Sequence, residues 1–138
     1  MRHRDTTILV CVTCREAGAP LEPARERPGA RLHLALKEAA LRRADDRITV
    51  HPVECLSVCK RPCTFGLSAA GKWTYVYGDF SADKAAAEAI LDAAALYAAT
   101  PDGLIPWRLR PEALKKGVVA RIPPLSNPSI TDLPEAAE

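Results

Sequence analysis

Aromatic residues are scarce in this chain, making up 5% of its 138 residues. Alanine occupies many of the remaining apolar positions, which predicts small-faced helices that pack closely. Charge of one sign is also lacking. The formal net charge is +2, and the basic residues are mostly arginines spread along the chain. That balance gives no basis for a nucleic-acid partner. No hydrophobic run approaches the roughly 20 residues that a membrane-spanning helix needs. The first apolar run, Ile8 to Val12, is too short for the core of a secretion signal, so the expected setting is cytoplasmic. Paired carboxylates, a Ser-His-Asp grouping, a phosphate loop and a dinucleotide fingerprint are all missing. The expectation is therefore a protein that is not an enzyme. Nor is there an internal repeat or a low-complexity block.

What the chain does have is cysteine in two groups. Cys11 and Cys14 form a C-x2-C near the start, and Cys55, Cys59 and Cys63 follow at intervals of four. Thiols stay reduced in a cytoplasmic setting, so five cysteines read as metal ligands or redox groups before they read as structural disulfides. Histidine is represented only by His3, His33 and His51. His51 lies close to the later cysteine group and is either a spare ligand or an ordinary strand residue. His3 and His33 carry no assigned role.

The pattern around the cysteines is α/β. Thr7 to Val12 is β-branched and apolar on both faces, as a buried strand would be. Residues 15–30 carry Pro20, Pro23, Pro28, Gly18 and Gly29 and read as a loop. Arg31 to Ala44 has Leu32, Leu36, Ala39, Ala40 and Ala44 at helical spacing. Ile48 to Val53 is a second strand, with Pro52 near its end. Thr64 to Ser68 and Trp73 to Tyr77 form a hairpin around Ala70-Gly71-Lys72. A second helix runs from Asp83 to Ala99, with Ser81 as its expected N-cap. Trp73, Tyr75 and Tyr77 alternate along the fourth strand and are expected to cover the sheet. A βαβ unit makes the first two strands parallel, so both end on one edge of the sheet. Cys11 and Cys14 then emerge beside Cys55 and Cys59, and four sulfurs can converge on one metal centre.

The composition shifts after residue 100. Pro101, Pro106, Pro111, Pro123, Pro124, Pro128 and Pro134 are seven of the twelve prolines. The expected division is a domain over 1–100 and a Pro-rich extension over 101–138 that packs on it. Within the extension, Pro111 to Lys116 predicts a helical turn or two and Val118 to Ile122 an extended segment. The rest reads as irregular, with an end that tends to disorder.

The run Val53-Glu54-Cys55-Leu56-Ser57-Val58-Cys59 to Pro62, the hairpin ending Gly71-Lys72-Trp73-Thr74-Tyr75 and the Ala-rich helix from Asp83 resemble the thioredoxin-like [2Fe-2S] ferredoxins. They are also similar to the small cluster-bearing subunit of bacterial respiratory NADH dehydrogenase. The whole chain is most similar to a bacterial family, DUF1636, described as predicted metal-binding. The ferredoxin resemblance covers roughly residues 6–99. It implies a thioredoxin-like fold: a four-stranded mixed sheet (βαβ, then β-hairpin, then α) with an irregular C-terminal extension. It implies a [2Fe-2S] cluster on Cys11, Cys14, Cys55 and Cys59, one-electron transfer to a redox partner protein, and a homodimer. Two features depart from the ferredoxin pattern. The early pair is separated by two residues where those relatives have four or more, and Cys63 has no counterpart among them.

Other readings of the same cysteines stay open. Zinc, cobalt or another transition metal fits a closed set of thiolates, as in a metal-handling accessory protein. A C-x2-C can be a redox dithiol, although Val12-Thr13 replaces the usual Gly-Pro. Cys63 is either an alternative ligand or a buried, inert thiol. Arg15, Lys60 and Arg61 adjoin cysteines. They either favour the reduced state of an anionic cluster or are ordinary solvated charges.

Overall fold

The computed structural model describes residues 6–13, 27–57 and 63–125. Five strands and two helices follow in the order β1 (Thr6–Cys11), α1 (Pro28–Arg43), β2 (Ile48–Val53), β3 (Phe65–Ser68), β4 (Thr74–Tyr77), α2 (Lys84–Ala99) and β5 (Val118–Ile122). Two short 3₁₀ turns, Trp107–Leu109 and Glu112–Leu114, lie between α2 and β5. The sheet order is β2-β1-β3-β4-β5. β1 and β2 pair in parallel, and every other pairing is antiparallel.

The sheet thus has five strands where the sequence predicts four. The added strand comes from the one segment of the Pro-rich extension expected to be extended, Val118-Val119-Ala120-Arg121-Ile122, which pairs with β4. No proline interrupts those five residues, so they can form a ladder on an exposed edge. Gly117 permits the approach. Its φ is +87°, and a Cβ there would lie 2.8 Å from the Gly78 carbonyl oxygen. Helix α1 starts at Pro28, three residues earlier than predicted, because proline is favoured in a first helical turn. It ends with Ala44 in the left-handed conformation. The N-cap of α2 is Asp83, not Ser81; its side chain accepts from the Ala86 N–H at 2.8 Å.

Strand register decides what is buried. Ile8 stands opposite Val50 and Leu67, and Leu67 opposite Tyr75; Val10 stands opposite Phe65, and Phe65 opposite Tyr77. These residues therefore share one face. They form a single core with Leu32, Leu36 and Ala39 of α1 and Ala87, Ile90, Ala94 and Tyr97 of α2. The helices also pack on each other, where alanine lets two backbones come close. Arg42 and Arg43 of α1 tie the rim of that contact to Glu88, at 3.1 and 2.5 Å. Hydrogen bonds from Arg43 and Arg42 hold the Glu88 carboxyl below its usual range. The few aromatics are concentrated here. Phe65 stacks on Tyr77 at 5.0 Å between ring centroids, and Tyr75 on Tyr77 at 5.6 Å. Ile105 and Leu114 join the same core from beyond residue 100.

The sheet edge around the β3–β4 turn is locked by one buried cation. Lys72 donates to the Tyr97 and Ala98 carbonyl oxygens, both at 3.1 Å, and lies over the Tyr97 ring at 5.2 Å. The last carbonyls of a helix lack intrahelical partners and carry negative partial charge, so an ammonium satisfies both needs. Gly103 passes so close that a Cβ would meet Tyr97 at 2.9 Å. Replacing Lys72 with Met leaves the Ala98 carbonyl short of a donor, while the Tyr97 carbonyl keeps the Thr100 N–H and hydroxyl. The expected loss is about 1–3 kcal/mol, read as a lower urea midpoint at an unchanged denaturant slope.

Candidate metal centre

Parallel pairing sends the C-terminal ends of β1 and β2 to the same edge. β3 runs the other way and begins there; β4 ends there, and both helices start there. Cys11 is the last residue of β1, in register with Val53, two residues before Cys55. Cys63 lies two residues before β3. Three cysteines from three segments therefore come to one sheet edge. Cys14 and Cys59, the other two predicted ligands, lie outside the described residues, as do Arg15, Lys60 and Arg61. Among the described residues no group of three or more His, Cys, Asp and Glu side chains is placed to hold a metal ion.

The first two loops are joined by more than the ladder. The Val12 N–H donates to the Val53 carbonyl at 2.9 Å, and the Thr13 hydroxyl donates to the Glu54 carbonyl oxygen. Cys11 Sγ lies 3.6 Å from Thr13 Oγ1 and 3.7 Å from the Glu54 oxygen. The Cys11 sulfur is thus held beside the residue that immediately precedes Cys55.

Cys55 is exposed, and its sulfur accepts from the Ser57 backbone N–H at 3.1 Å. Ser57 has φ +62°, a left-handed conformation that non-glycine residues adopt rarely. The turn over Cys55-Leu56-Ser57 folds an amide back onto the sulfur two residues earlier. A sulfur that accepts N–H bonds has its negative charge stabilised, which suits it to ligate.

Cys63 is built differently. Its N–H donates to the Phe80 carbonyl at 3.0 Å and its carbonyl accepts from the Phe80 N–H at 3.3 Å. The register of Phe65 with Tyr77 would place Asp79 there, so the β4 side carries one extra residue. Asp79, with φ +66°, absorbs it as a bulge. Cys63 belongs to the core beneath the helices, whereas Cys11, one residue on from Val10, takes the opposite face of β1. Cys63 also lines a cavity of about 400 Å³ with Pro28, Arg31, Asp79, Ser81 and Asp83, at the starts of α1 and α2.

Of the histidines, His51 is exposed on β2 opposite Leu9. Burial, with Lys37 and His51 nearby, pulls His33 below its usual range. Two contributors escaped the sequence reading: the Thr13 hydroxyl and the Ser57 amide. Threonine beside a cysteine carries no signal, and glycine or asparagine would have been the flag for a left-handed residue. Among the three described thiols, only Cys55 is open to reagent; Cys11 is 3% and Cys63 2% exposed. Alkylation of the native, metal-free chain, mapped by mass spectrometry, is expected to mark Cys55 well before either, with the difference erased in denaturant.

A solved structure supports the reading of the fold. The chain superposes on a thioredoxin-like [2Fe-2S] ferredoxin from Aquifex aeolicus with a TM-score of 0.54 and 16% identity, over 88% of this chain and 97% of that one. At that identity the likeness shows a shared thioredoxin-like fold. No curated protein matches the sequence. A family model described as "Protein of unknown function (DUF1636)" matches residues 8–124. With that match spanning most of its length, the chain belongs to the DUF1636 family.

Proposed function

We propose that this protein is a small iron–sulfur protein that carries single electrons, with a [2Fe-2S] cluster on Cys11, Cys14, Cys55 and Cys59. The observation that carries the reading is the parallel β1–β2 register, which sets the loops of Cys11 and Cys55 side by side. The chemistry of the described residues fits the group: two thiols on adjoining loops, one of them already accepting an N–H bond. When bound, a [2Fe-2S] cluster supplies one-electron chemistry over a wide range of potentials. The chain's own contribution is to hold the sulfurs and to offset their charge. Both helices begin at this edge; α2 is already capped by the Asp83 carboxylate, whereas α1 has neither a side-chain cap nor an acidic residue in its first turn. The open end of α1 favours a nearby anion by about 0.3–1 kcal/mol. The reading is not enzymatic; the partner is a larger redox protein that docks transiently, in a cytoplasm that keeps the thiols reduced. Among the described residues no helix is long and apolar enough to cross a membrane.

One observation favours a second reading, a zinc- or cobalt-handling protein. Cys55 is exposed, and an open ligand suits metal exchange. Anaerobic purification followed by metal and sulfide analysis separates the two. The carrier reading expects about two irons and two acid-labile sulfides per chain, visible charge-transfer absorption, and a paramagnetic signal after reduction. Stoichiometric zinc without sulfide would replace it with the second reading.

The ligand assignment has its own test. Cys11→Ser and Cys55→Ser are expected to lose the metal, whereas Cys63→Val, on the helix-covered face, is expected to keep the wild-type content. A Cys63→Val chain that folds but holds no metal would move Cys63 into the ligand set.

A further inference from the structure

We infer that the face built by β5 and the two 3₁₀ turns is the docking site for the chain's own acidic segment, residues 126–138. The inference does not depend on which metal the cysteines hold.

Charge is nearly balanced over the whole chain but separated toward its end. Residues 104–125 carry Arg108, Arg110, Lys115, Lys116 and Arg121 against one carboxylate, Glu112. Residues 126–138 carry Asp132, Glu135 and Glu138 and no lysine or arginine.

The fold gathers the cations around aromatic rings. Arg121 of β5 lies over the Trp73 ring at 5.1 Å and stands opposite Tyr75. Arg110 lies over the Tyr75 ring at 5.5 Å, and its backbone N–H donates to the Trp107 carbonyl at 3.2 Å. Lys115 lies over the Trp107 ring at 4.6 Å. These contacts join β4, β5 and both turns into one contiguous face. Its outer part is open, with Trp107 60% and Leu109 55% exposed. Lys115 has Glu112 at 3.5 Å. Among the described residues no carboxylate pairs with Arg108 or Arg121. Exposed tryptophan and arginine beside apolar side chains make up the kind of surface that another polypeptide covers.

Charge, apolar content and reach select the occupant. The three carboxylates of 126–138 complement arginines that lack an acidic partner. Ile130 and Leu133 lie among those carboxylates and can cover Trp107 and Leu109. The chain leaves β5 at Ile122, opposite Thr74 and so beside Trp73. The stretch from Leu125 to Asp132 can span up to about 25 Å, whereas neighbouring strands lie only about 4.8 Å apart. Tethering also holds the segment at an effective concentration on the order of millimolar, so weak contacts suffice. An acidic partner seeking the same face must displace it.

Trp73 and Trp107 are the two tryptophans of the chain, so intrinsic fluorescence reads this face. The test compares the full chain with a full-length variant carrying Asp132→Asn, Glu135→Gln and Glu138→Gln, at equal metal content. At low salt, acrylamide is expected to quench the wild type less than the variant. Salt at about 1 M, where the screening length falls to about 3 Å, is expected to bring the wild type to the variant's level and to leave the variant unchanged. Arg108→Gln combined with Arg121→Gln is expected to lose the same protection, whereas Lys37→Gln on α1 keeps it. Carbodiimide, applied to a mixture of isotope-labelled and unlabelled chains, is expected to join Lys115 or Lys116 to Asp132, Glu135 or Glu138 within one chain. Couplings found only between labelled and unlabelled chains would assign the face to a second copy and overturn the inference. Equal quenching of the wild type and the carboxylate variant at low salt overturns it as well, with or without coupling.

Discussion

The parallel pairing of β1 with β2 is the constraint on which the rest depends. Two strands that run the same way must be joined by a crossover, which here is α1, and they must finish at the same edge. Everything chemical in the chain is placed by that rule. Cys11 ends one strand and Cys55 follows the other, although 43 residues separate the carbonyl of Glu54 from Cys11 in sequence. The register matters as much as the direction. A slip of one residue would turn Ile8 and Val10 away from the helices and bring Cys11 into the core. The apolar packing against Leu32, Leu36 and the aromatic stack therefore also fixes the side of the sheet on which the Cys11 sulfur lies.

The two edges of the molecule are made for different work. Around Lys72 the structure is over-determined: a buried ammonium, two helix carbonyls, a tyrosine ring and a glycine that admits no side chain. At the cysteine edge the segments are loops, two residues sit at positive φ, and Cys55 is open to solvent. Such a division is what a rigid scaffold with a reactive rim requires, because strain at the rim must be borne by packing elsewhere. β5 belongs to this division. It extends the sheet beyond β4, and Gly117 pins its start against Gly78, next to the bulge that sets Cys63.

Much of this was legible in the sequence because it rests on period and punctuation. The two-residue alternation of Tyr75 and Tyr77, the helical spacing of Leu32, Leu36 and Ala39, and the Ala70-Gly71-Lys72 turn each state their element directly. The βαβ order then gives the shared edge by topology alone. β5 as a sheet member was not legible, because a short strand on an edge depends on its neighbour; five residues between proline-rich segments say only that the chain is extended. The N-cap of α2 was misplaced by two residues, since Ser81 and Asp83 have the same chemistry and only the backbone decides between them. The role of Lys72 was hidden, because a lysine after a turn glycine reads as solvent-exposed until α2 is known to end over it.

Cysteine count was the most informative and the most misleading signal. Five cysteines in two groups leave open whether Cys63 is a fifth thiol of the site, but a sheet has two faces, and alternation separates residues that sequence spacing groups together. Cys55, Cys59 and Cys63 are evenly spaced in the chain, yet Cys63 lies two residues ahead of a strand whose buried face is set by Phe65 and Leu67. A residue two positions before Phe65 shares that face and is drawn into the core with it. By the same rule applied to Val10, Cys11 takes the face away from the helices, where it too is buried. Packing thus draws Cys63 into the core with Phe65 while Cys55 stays open to solvent, and it does so through the apolar residues of the sheet face.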